Sequence, residues 1–519
     1  MGSILSRARR NNNRLHKVLT NHPKCVIILE TGGNMKFNVI CGNPPFQDNE
    51  TKNKTQHKIW PTFTQKALDE WLEDGGTLLW ISPYSWGSPS NKILTLLKEN
   101  QFEELNLDTS EYFPNVGSTF SNYRITKGQN QTTTSVTKDG SQFNMSFDDV
   151  FYIPNDVCAS SMSIHSKVMF GNTNTFDLKY DYVTCHNVIR HAKKLHEKKI
   201  EKVKEKLTKD VNEEKTNTKA FSKNLERLAS LIQKRSIIDI SVSEVKTTTH
   251  VHPVFHTNNK TWYSSKLQDF ASKKKVMWSR SGYVKPFYDD GKLGCTDMGY
   301  YILVDSDDEG RRLVDFLSSD LMKYVFKTAK WSGFGNELVF SSIPKIDLSK
   351  DMTLKDYYKK FKITKSEQTY IDSILNPKKS KSSKKGSAET KSEFRIKKHG
   401  EVYTPKELVL NMLDSLPGDQ WEDPTNTFID PACGNGNFIV EILTKRLDFG
   451  ISAEDAIGTL YGIDILQDNI SETKERMNAI LLERGHNPEN FAETMDNNIV
   501  LSNSLEHTME EIFQKKLDN

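Results

Sequence analysis

Asn43-Pro44-Pro45-Phe46 follows the apolar run Phe37–Cys41 and Gly42, and its residue types suit one kind of chemistry. An exocyclic amine on a nucleobase is a poor nucleophile because its lone pair is delocalised into the ring. Two hydrogen-bond acceptors aimed at its hydrogens pull the nitrogen toward tetrahedral geometry and free that pair. The side-chain carbonyl of Asn43 and the main-chain carbonyl of Pro44 can do this, since consecutive prolines stiffen the loop and remove competing N–H donors. Phe46 offers a flat face for an extruded base, a contact worth about 1–3 kcal/mol. The bland alternative is a proline-rich turn after a strand.

Far downstream, the stretch DPACGNGNF has the profile of a strand, a tight turn and a helix. Thr427–Ile429 supply the strand, Gly434 and Gly436 let the backbone approach a ligand closely, and Phe438 onward is helical. Asp430, at the strand's carboxyl end, can take a cationic amine. The glycine spacing is not that of the dinucleotide fingerprint. LYGIDI then ends a second strand at Asp464, where an acidic side chain can hold ribose hydroxyls. Upstream, Thr404 and Glu407 stand at capping-box spacing with Pro405 at the first helical position, and the free N–H groups of such a helix start suit a carboxylate.

The elements that must position these groups alternate as in α/β folds. FNVIC reads as a buried strand. Phe63, Ala67 and Trp71 recur at helical spacing until Gly75 and Gly76, TLLWIS forms the next strand up to Pro83, and a helix through Ile93–Leu97 leads to Leu105–Asp108. FPNVGSTFSNYRITKG reads as a hairpin closing the segment.

YTP, DPACGNG and GIDI resemble the cofactor motifs of S-adenosylmethionine-dependent methyltransferases, in the order those enzymes use. The resemblance implies that Tyr403 and Thr404 meet the methionine carboxylate. It puts Asp430, Ala432 and the Gly434–Gly436 turn with Asn437 around the methionine moiety, and Asp464 with Ile465 at the ribose and adenine. Asn503, in the strand NIVLSNSL, stands where such enzymes usually carry an aspartate. NPPF resembles the target-amine motif of the NPPF/NPPY amino-methyltransferases, closer to adenine-N6 than to cytosine-N4 enzymes. Its place before the cofactor motifs resembles the circularly permuted members of restriction–modification systems and their viral or solitary relatives.

That resemblance implies direct in-line methyl transfer to a flipped-out adenine in a specific sequence of double-stranded DNA, in the cytoplasm of a bacterium or virus-infected host cell. Cytosine-N4, RNA amines and protein amines are the alternatives. The implied fold is a doubly wound, Rossmann-like α/β sheet assembled from N- and C-terminal segments, with an inserted α+β target-recognition region. The expected organisation is an extension 1–34, a catalytic half 35–130, a recognition region 131–375, a linker 376–398 and a cofactor-binding half 399–519. Tyr123 or Phe120 would be a second face for the flipped base. Lys275, Trp278, Arg280, Lys330 and Trp331, in the basic-aromatic stretch of the insert, would meet DNA.

Lys+Arg 71 against Asp+Glu 68 gives a net charge of only +3, so the distribution of charge must decide about nucleic acid. Six scattered cysteines without a CxxC pair read as reduced thiols. No apolar run approaches the roughly 18 residues that span a bilayer. MGSILS fits a myristoylation pattern at Gly2 and Ser6, a pattern short enough to arise by chance. Residues 186–235 read as a lysine-rich helical hairpin, taken as a solvated insertion packed on one face in preference to a DNA-gripping arm. Residues 376–393 form a Lys/Ser-rich linker. His250, His252 and His256 are too isolated from other ligands to make a metal site. No nuclease constellation is visible, so cleavage would need a separate restriction endonuclease.

Overall fold

The computed structural model describes residues 35–48, 57–89, 91–113, 119–128, 133–181, 190–213, 215–216, 218–238, 242–257, 260–280, 284–331, 337–377 and 403–514. The expected extension with Gly2 and Ser6, and all but the first two residues of the expected linker, lie outside them.

A nine-stranded sheet joins the two ends of the chain. Its strands are β1 (Phe37–Gly42), β2 (Leu72–Pro83), β3 (Gln101–Asn106), β4 (Phe120–Thr126), β5 (Thr134–Lys138), β6 (Ser141–Met145), β7 (Phe428–Asp430), β8 (Leu460–Asp464) and β9 (Ile499–Leu501). Their order is β9-β8-β7-β1-β2-β4-β3-β5-β6. The first five run parallel, and the seam between the two chain ends is β1 against β7, with Val39 opposite Phe428 and Ile40 opposite Ile429. β4 is antiparallel to both β2 and β3.

Burial on both faces explains why β1 sits in the middle, with a register shift between Phe37 and Val39 interrupting strict alternation. Phe37 and Ile40 enter one apolar cluster, and Val39 and Cys41 enter the other, on the opposite face. A strand buried on both faces reads as a continuous apolar run. The helices α1 (Arg190–Asn212) and α2 (Lys219–Ile238) form a hairpin in the insert. Helices α3 (Lys406–Asp414), α4 (Asn437–Asp448) and α5 (Gln467–Glu483) follow in the C-terminal segment. Leu408 and Met412 of α3, Ile439 and Ile442 of α4, and Met477 of α5 fill the second cluster. The first cluster runs from the sheet into the insert, through Trp278, Tyr300, Leu313, Phe316 and Tyr324. The nine-stranded sheet and the insert therefore share one core.

Several sequence expectations change. The helix after Trp60 ends at Trp71 in a π-turn, and Gly75 and Gly76 lie inside β2. Among the described residues of FPNVGSTFSNYRITKG there is one strand, β4, which pairs between β2 and β3. The sheet continues through β5 and β6 to Met145, past the expected boundary at 130. Within the expected recognition region, Ala159–Val168 is a helix. Among the described residues no helix is long and apolar enough to cross a membrane.

Candidate active site

Parallel pairing of β1 with β7 and of β7 with β8 brings three carboxyl ends side by side, the edge at which open α/β sheets receive ligands. Gly42 leads from β1 into Asn43-Pro44-Pro45-Phe46, and a Cβ on Gly42 would stand 2.8 Å from Asp430 Oδ1. The Asn43–Phe46 loop and the Asp430–Gly436 loop thus approach each other at Gly42, where a Cβ would crowd the Asp430 carboxyl and Trp80. Asn43 and Phe46 are half-buried and Pro44 is buried.

Asp430 is 2% exposed and accepts a hydrogen bond from the Ala432 N–H at 3.0 Å. Burial, opposed by that bond and reinforced by the neighbouring Asp464 charge, raises its carboxyl to about 8. A buried carboxylate of this kind favours a cationic partner. Gly434 and Gly436 have φ of 53° and 83°. At Gly436 a Cβ would also strike Thr473 at 2.6 Å, so no side chain is tolerated where the loop turns into α4.

Asp464 ends β8 half-buried. Its Oδ2 accepts from Gly434 N–H at 2.9 Å, and its Oδ1 accepts from Leu466 N–H at 2.9 Å and Asn469 Nδ2 at 3.1 Å. The carboxylate is thereby fixed in orientation beside the glycine loop. Ile465, which follows it, is 56% exposed. Tyr403 lies over Gly434, 3.7 Å from the position of a Cβ there, and its hydroxyl donates to Asn469 Oδ1 at 3.4 Å. The Asn437 amide donates to the Thr404 carbonyl at 2.7 Å and accepts from Arg476 at 2.7 Å, clamping the YTP segment to the loop. Helix α3 starts at Lys406 with no side-chain cap, so the Thr404–Glu407 capping box does not form. Asn503 sits past β9 with its side-chain oxygen accepting from Leu505 N–H at 3.0 Å.

The structure therefore gathers Asn43 to Phe46, Tyr403, Thr404, Asp430, Ala432, Gly434, Gly436, Asn437, Asp464 and Ile465 around one edge of the sheet. It does not bring every expected DNA-facing residue there. Tyr123 is buried, edge-on to Trp86 and Phe102, with its hydroxyl near Ser82. Phe120 is buried behind Phe46, ring centroids 5.0 Å apart, and supports that ring instead of opposing it. Lys275 is fully buried and ion-paired with Asp289 at 2.6 Å, and Trp278 is wholly inside the core against Phe340. Both lie on a strand, Lys275–Ser279, whose alternate residues are buried on both faces, which removes them from any DNA surface.

Arg280 is half-buried over the Tyr300 ring. Lys330 is half-buried, its carbonyl accepting from Asn155. Trp331 packs edge-on against Tyr84, just past the carboxyl end of β2, and donates from Nε1 to the Ile153 carbonyl at 2.9 Å. His256 is buried, bonded to Thr296 and tilted against the Trp262 ring.

Two residues escaped the sequence reading. Asn469 is buried on the inward stripe of α5 with Ile470, Thr473 and Met477, and a polar residue inside an apolar helical stripe was the available signal. Arg476, which donates to the Asn435 carbonyl and to Asn437, looked like any surface arginine.

Residues 5–120 match the family described as Eco57I restriction-modification methylase, and residues 390–518 match N-6 DNA Methylase. The first match begins inside the segment 1–34 that the sequence reading set apart. The two matches fall on the two ends of the chain that join in the nine-stranded sheet. The Type II methyltransferase M.VspI of Vibrio sp. (strain 343) is 44% identical over 57 residues, 11% of this chain and 13% of that protein. The match thus spans about an eighth of that relative's length.

Among solved structures, a nuclease-deletion mutant of the Type ISP restriction-modification enzyme LlaGI, in complex with a DNA substrate mimic, shows 12% identity. It covers 65% of this chain and 42% of that one with a TM-score of 0.31. The DrdV–DNA complex shows 11% identity over 59% of this chain and 42% of that one, with a TM-score of 0.31. At such scores these likenesses establish neither fold nor function.

Proposed function

We propose that this chain transfers a methyl group from S-adenosylmethionine to the N6 amino group of adenine in a specific sequence of duplex DNA. The observation that carries the reading is the contact of Gly42 with Asp430, which sets the Asn-Pro-Pro-Phe loop against the DPACGNG loop. The sheet in this reading is the doubly wound methyltransferase sheet, closed by the β1–β7 seam.

The donor set fits the cofactor. A buried carboxylate with a raised pKa (Asp430), a carboxylate held in fixed orientation (Asp464), an exposed apolar side chain beside it (Ile465) and a glycine turn beneath Tyr403 suit an ammonium, a ribose, an adenine and a methionine sulfonium chain respectively. When bound, S-adenosylmethionine supplies an electrophilic methyl group on sulfonium sulfur.

The chain's own residues prepare the acceptor. Asn43 and the Pro44 carbonyl accept the two hydrogens of the flipped adenine's amine, and Phe46, backed by Phe120, stacks on the ring. Neither acceptor is basic at neutral pH, so the proton of the methylated amine leaves to water. On this reading the protein works on DNA in the cytoplasm, with a separate endonuclease wherever cleavage accompanies methylation.

Expression in a methylation-deficient host, followed by sequencing that reports modified adenines directly, tests the proposal. A single N6-methylated motif, absent with Asn43→Ala, is the expected result. Unmodified DNA from folded, cofactor-binding protein would refute it and point to RNA or protein amines.

A further inference from the structure

The near-neutral net charge conceals a strong segregation. Residues 190–238 hold 15 basic and 7 acidic side chains, and residues 376–398 hold 9 and 2, which leaves 47 basic against 59 acidic in the remainder. The first of these stretches is the α1–α2 hairpin. Ile200, Val203 and Leu207 bury one face of α1, and none of them belongs to the core clusters of the body. Among the described residues the two helices pack chiefly on each other, with His196 Nε2 bonded to the Leu231 carbonyl at 2.8 Å.

On the face of α1 away from that seam, Lys198, Lys202, Lys206 and Lys209 follow at spacings of four, four and three residues, all exposed. Only Lys209 of these four is ion-paired, with Glu213 at 3.7 Å. Glu197, Glu201 and Glu205 form a neighbouring row, and no ion pair joins the two rows. Like charges at i,i+4 cost an isolated helix about 0.2–0.5 kcal/mol per pair, whereas alternating signs would stabilise it by as much. The lysine row repels itself along its length, a cost that Glu201 and Glu205 at i,i+3 and i,i+4 spacing partly offset, and its outward charge is complementary to a linear polyanion. Four lysines over twelve residues span about 16 Å, and phosphates along one DNA strand recur about every 3.4 Å.

We propose that the outer lysine row of α1 binds the phosphate backbone of duplex DNA beside the methylation target, gripping it without reading its sequence. The proposal rests on the DNA reading above and assigns the hairpin a partner. Because the contacts are to phosphate, they set affinity and salt dependence and leave the recognised sequence unchanged.

The test replaces Lys198, Lys202, Lys206 and Lys209 together by Gln in the full-length chain, with the fourfold Lys→Arg chain as its charge-retaining control. Duplex binding is followed by fluorescence anisotropy across a salt series, on target and non-target sequences, and methylation is read at saturating DNA. The Gln chain should lose about 3–4 from the slope of log Kd against log salt, at about 0.9 per phosphate contact. The loss should be equal on both duplexes, with the Arg chain like wild type and cofactor affinity unchanged.

An unchanged slope in a chain that still methylates DNA would overturn the hairpin's role and leave the catalytic reading standing. A reduced slope in a wild-type protein that methylates no DNA would do the reverse. Loss of binding to phosphatidylserine vesicles with no change on duplex would assign the row to a membrane surface and overturn the proposal. Should the Gln chain lose helicity, single Lys202→Gln gives the same test, with an expected slope change of about 0.9.

Discussion

Asp430 offers the sharpest test of the cofactor site, because its chemistry ties pH, stability and binding together. Burial, partly offset by the Ala432 N–H and helped by the Asp464 charge, raises the carboxyl of the cofactor-free protein to about 8. If its anion receives the cofactor's ammonium, every pH unit below that value leaves about tenfold less of the binding-competent form, about 1.4 kcal/mol per unit. Since half of the carboxyl is already protonated at about pH 8, the Kd for S-adenosylmethionine should rise about fiftyfold from about pH 8 to about pH 6. Binding near neutrality should release close to one proton, which calorimetry in buffers of different ionisation enthalpy measures directly.

The sign for stability is opposite to that of a salt-bridged aspartate. A folded pKa above the unfolded one means that the native state holds the extra proton. This contribution is complete below about pH 4 and is lost as pH rises toward about 8. Asp430→Asn mimics the protonated form without losing its proton, so at pH 7 it should stabilise the cofactor-free protein by up to about 4 kcal/mol, roughly three pH units at 1.4 each. The same variant should bind cofactor weakly and without the pH slope. A flat wild-type Kd, or a lower Tm in Asp430→Asn, would refute the reasoning.

Gly42→Ala should cost at least about tenfold in cofactor affinity, since its Cβ would stand 2.8 Å from Asp430 Oδ1 and 3.3 Å from Trp80; wild-type affinity by titration calorimetry would contradict the seam contact. Asn469→Ala removes one of the donors that hold Asp464 and the acceptor of Tyr403, and should weaken cofactor binding by about 1.5–3 kcal/mol, measurable as Kd against unchanged Tm. Lys275→Ala strands the buried Asp289 carboxylate and should destabilise the fold by about 3–5 kcal/mol in denaturant unfolding. The salt dependence of DNA binding should not move in any residual folded fraction, and a lost phosphate contact there would restore Lys275 to the DNA surface.

Local signals were enough to mark both halves of the site. Gly434 and Gly436 take positive φ because the loop must turn sharply into α4, and the apolar run through Phe37–Cys41 is buried on both faces because β1 is central. The Thr364–Glu367 capping box forms as its spacing predicts, while the Thr404–Glu407 box of the same pattern does not, since Thr404 is instead clamped through its carbonyl by Asn437. Capping depends on where the preceding chain is held, and neighbours in sequence do not carry that information.

Basic and aromatic residues in the insert misled for a related reason. Lys275 and Trp278 have the composition of a nucleic-acid surface, yet their strand is sandwiched on both sides, and the buried partner Asp289, with the carbonyls of Ala271 and Lys273, makes a lysine tolerable there. What the sequence alone determined depends on residue type and short spacing: an Asn-Pro-Pro-Phe loop after a strand, a glycine turn and two strand-ending carboxylates. Only the tertiary structure decided that β1 lies against β7, that Gly42 meets Asp430, and which cations of the insert face outward. Pairing between strands hundreds of residues apart, and burial from all sides, are properties of the whole packed chain.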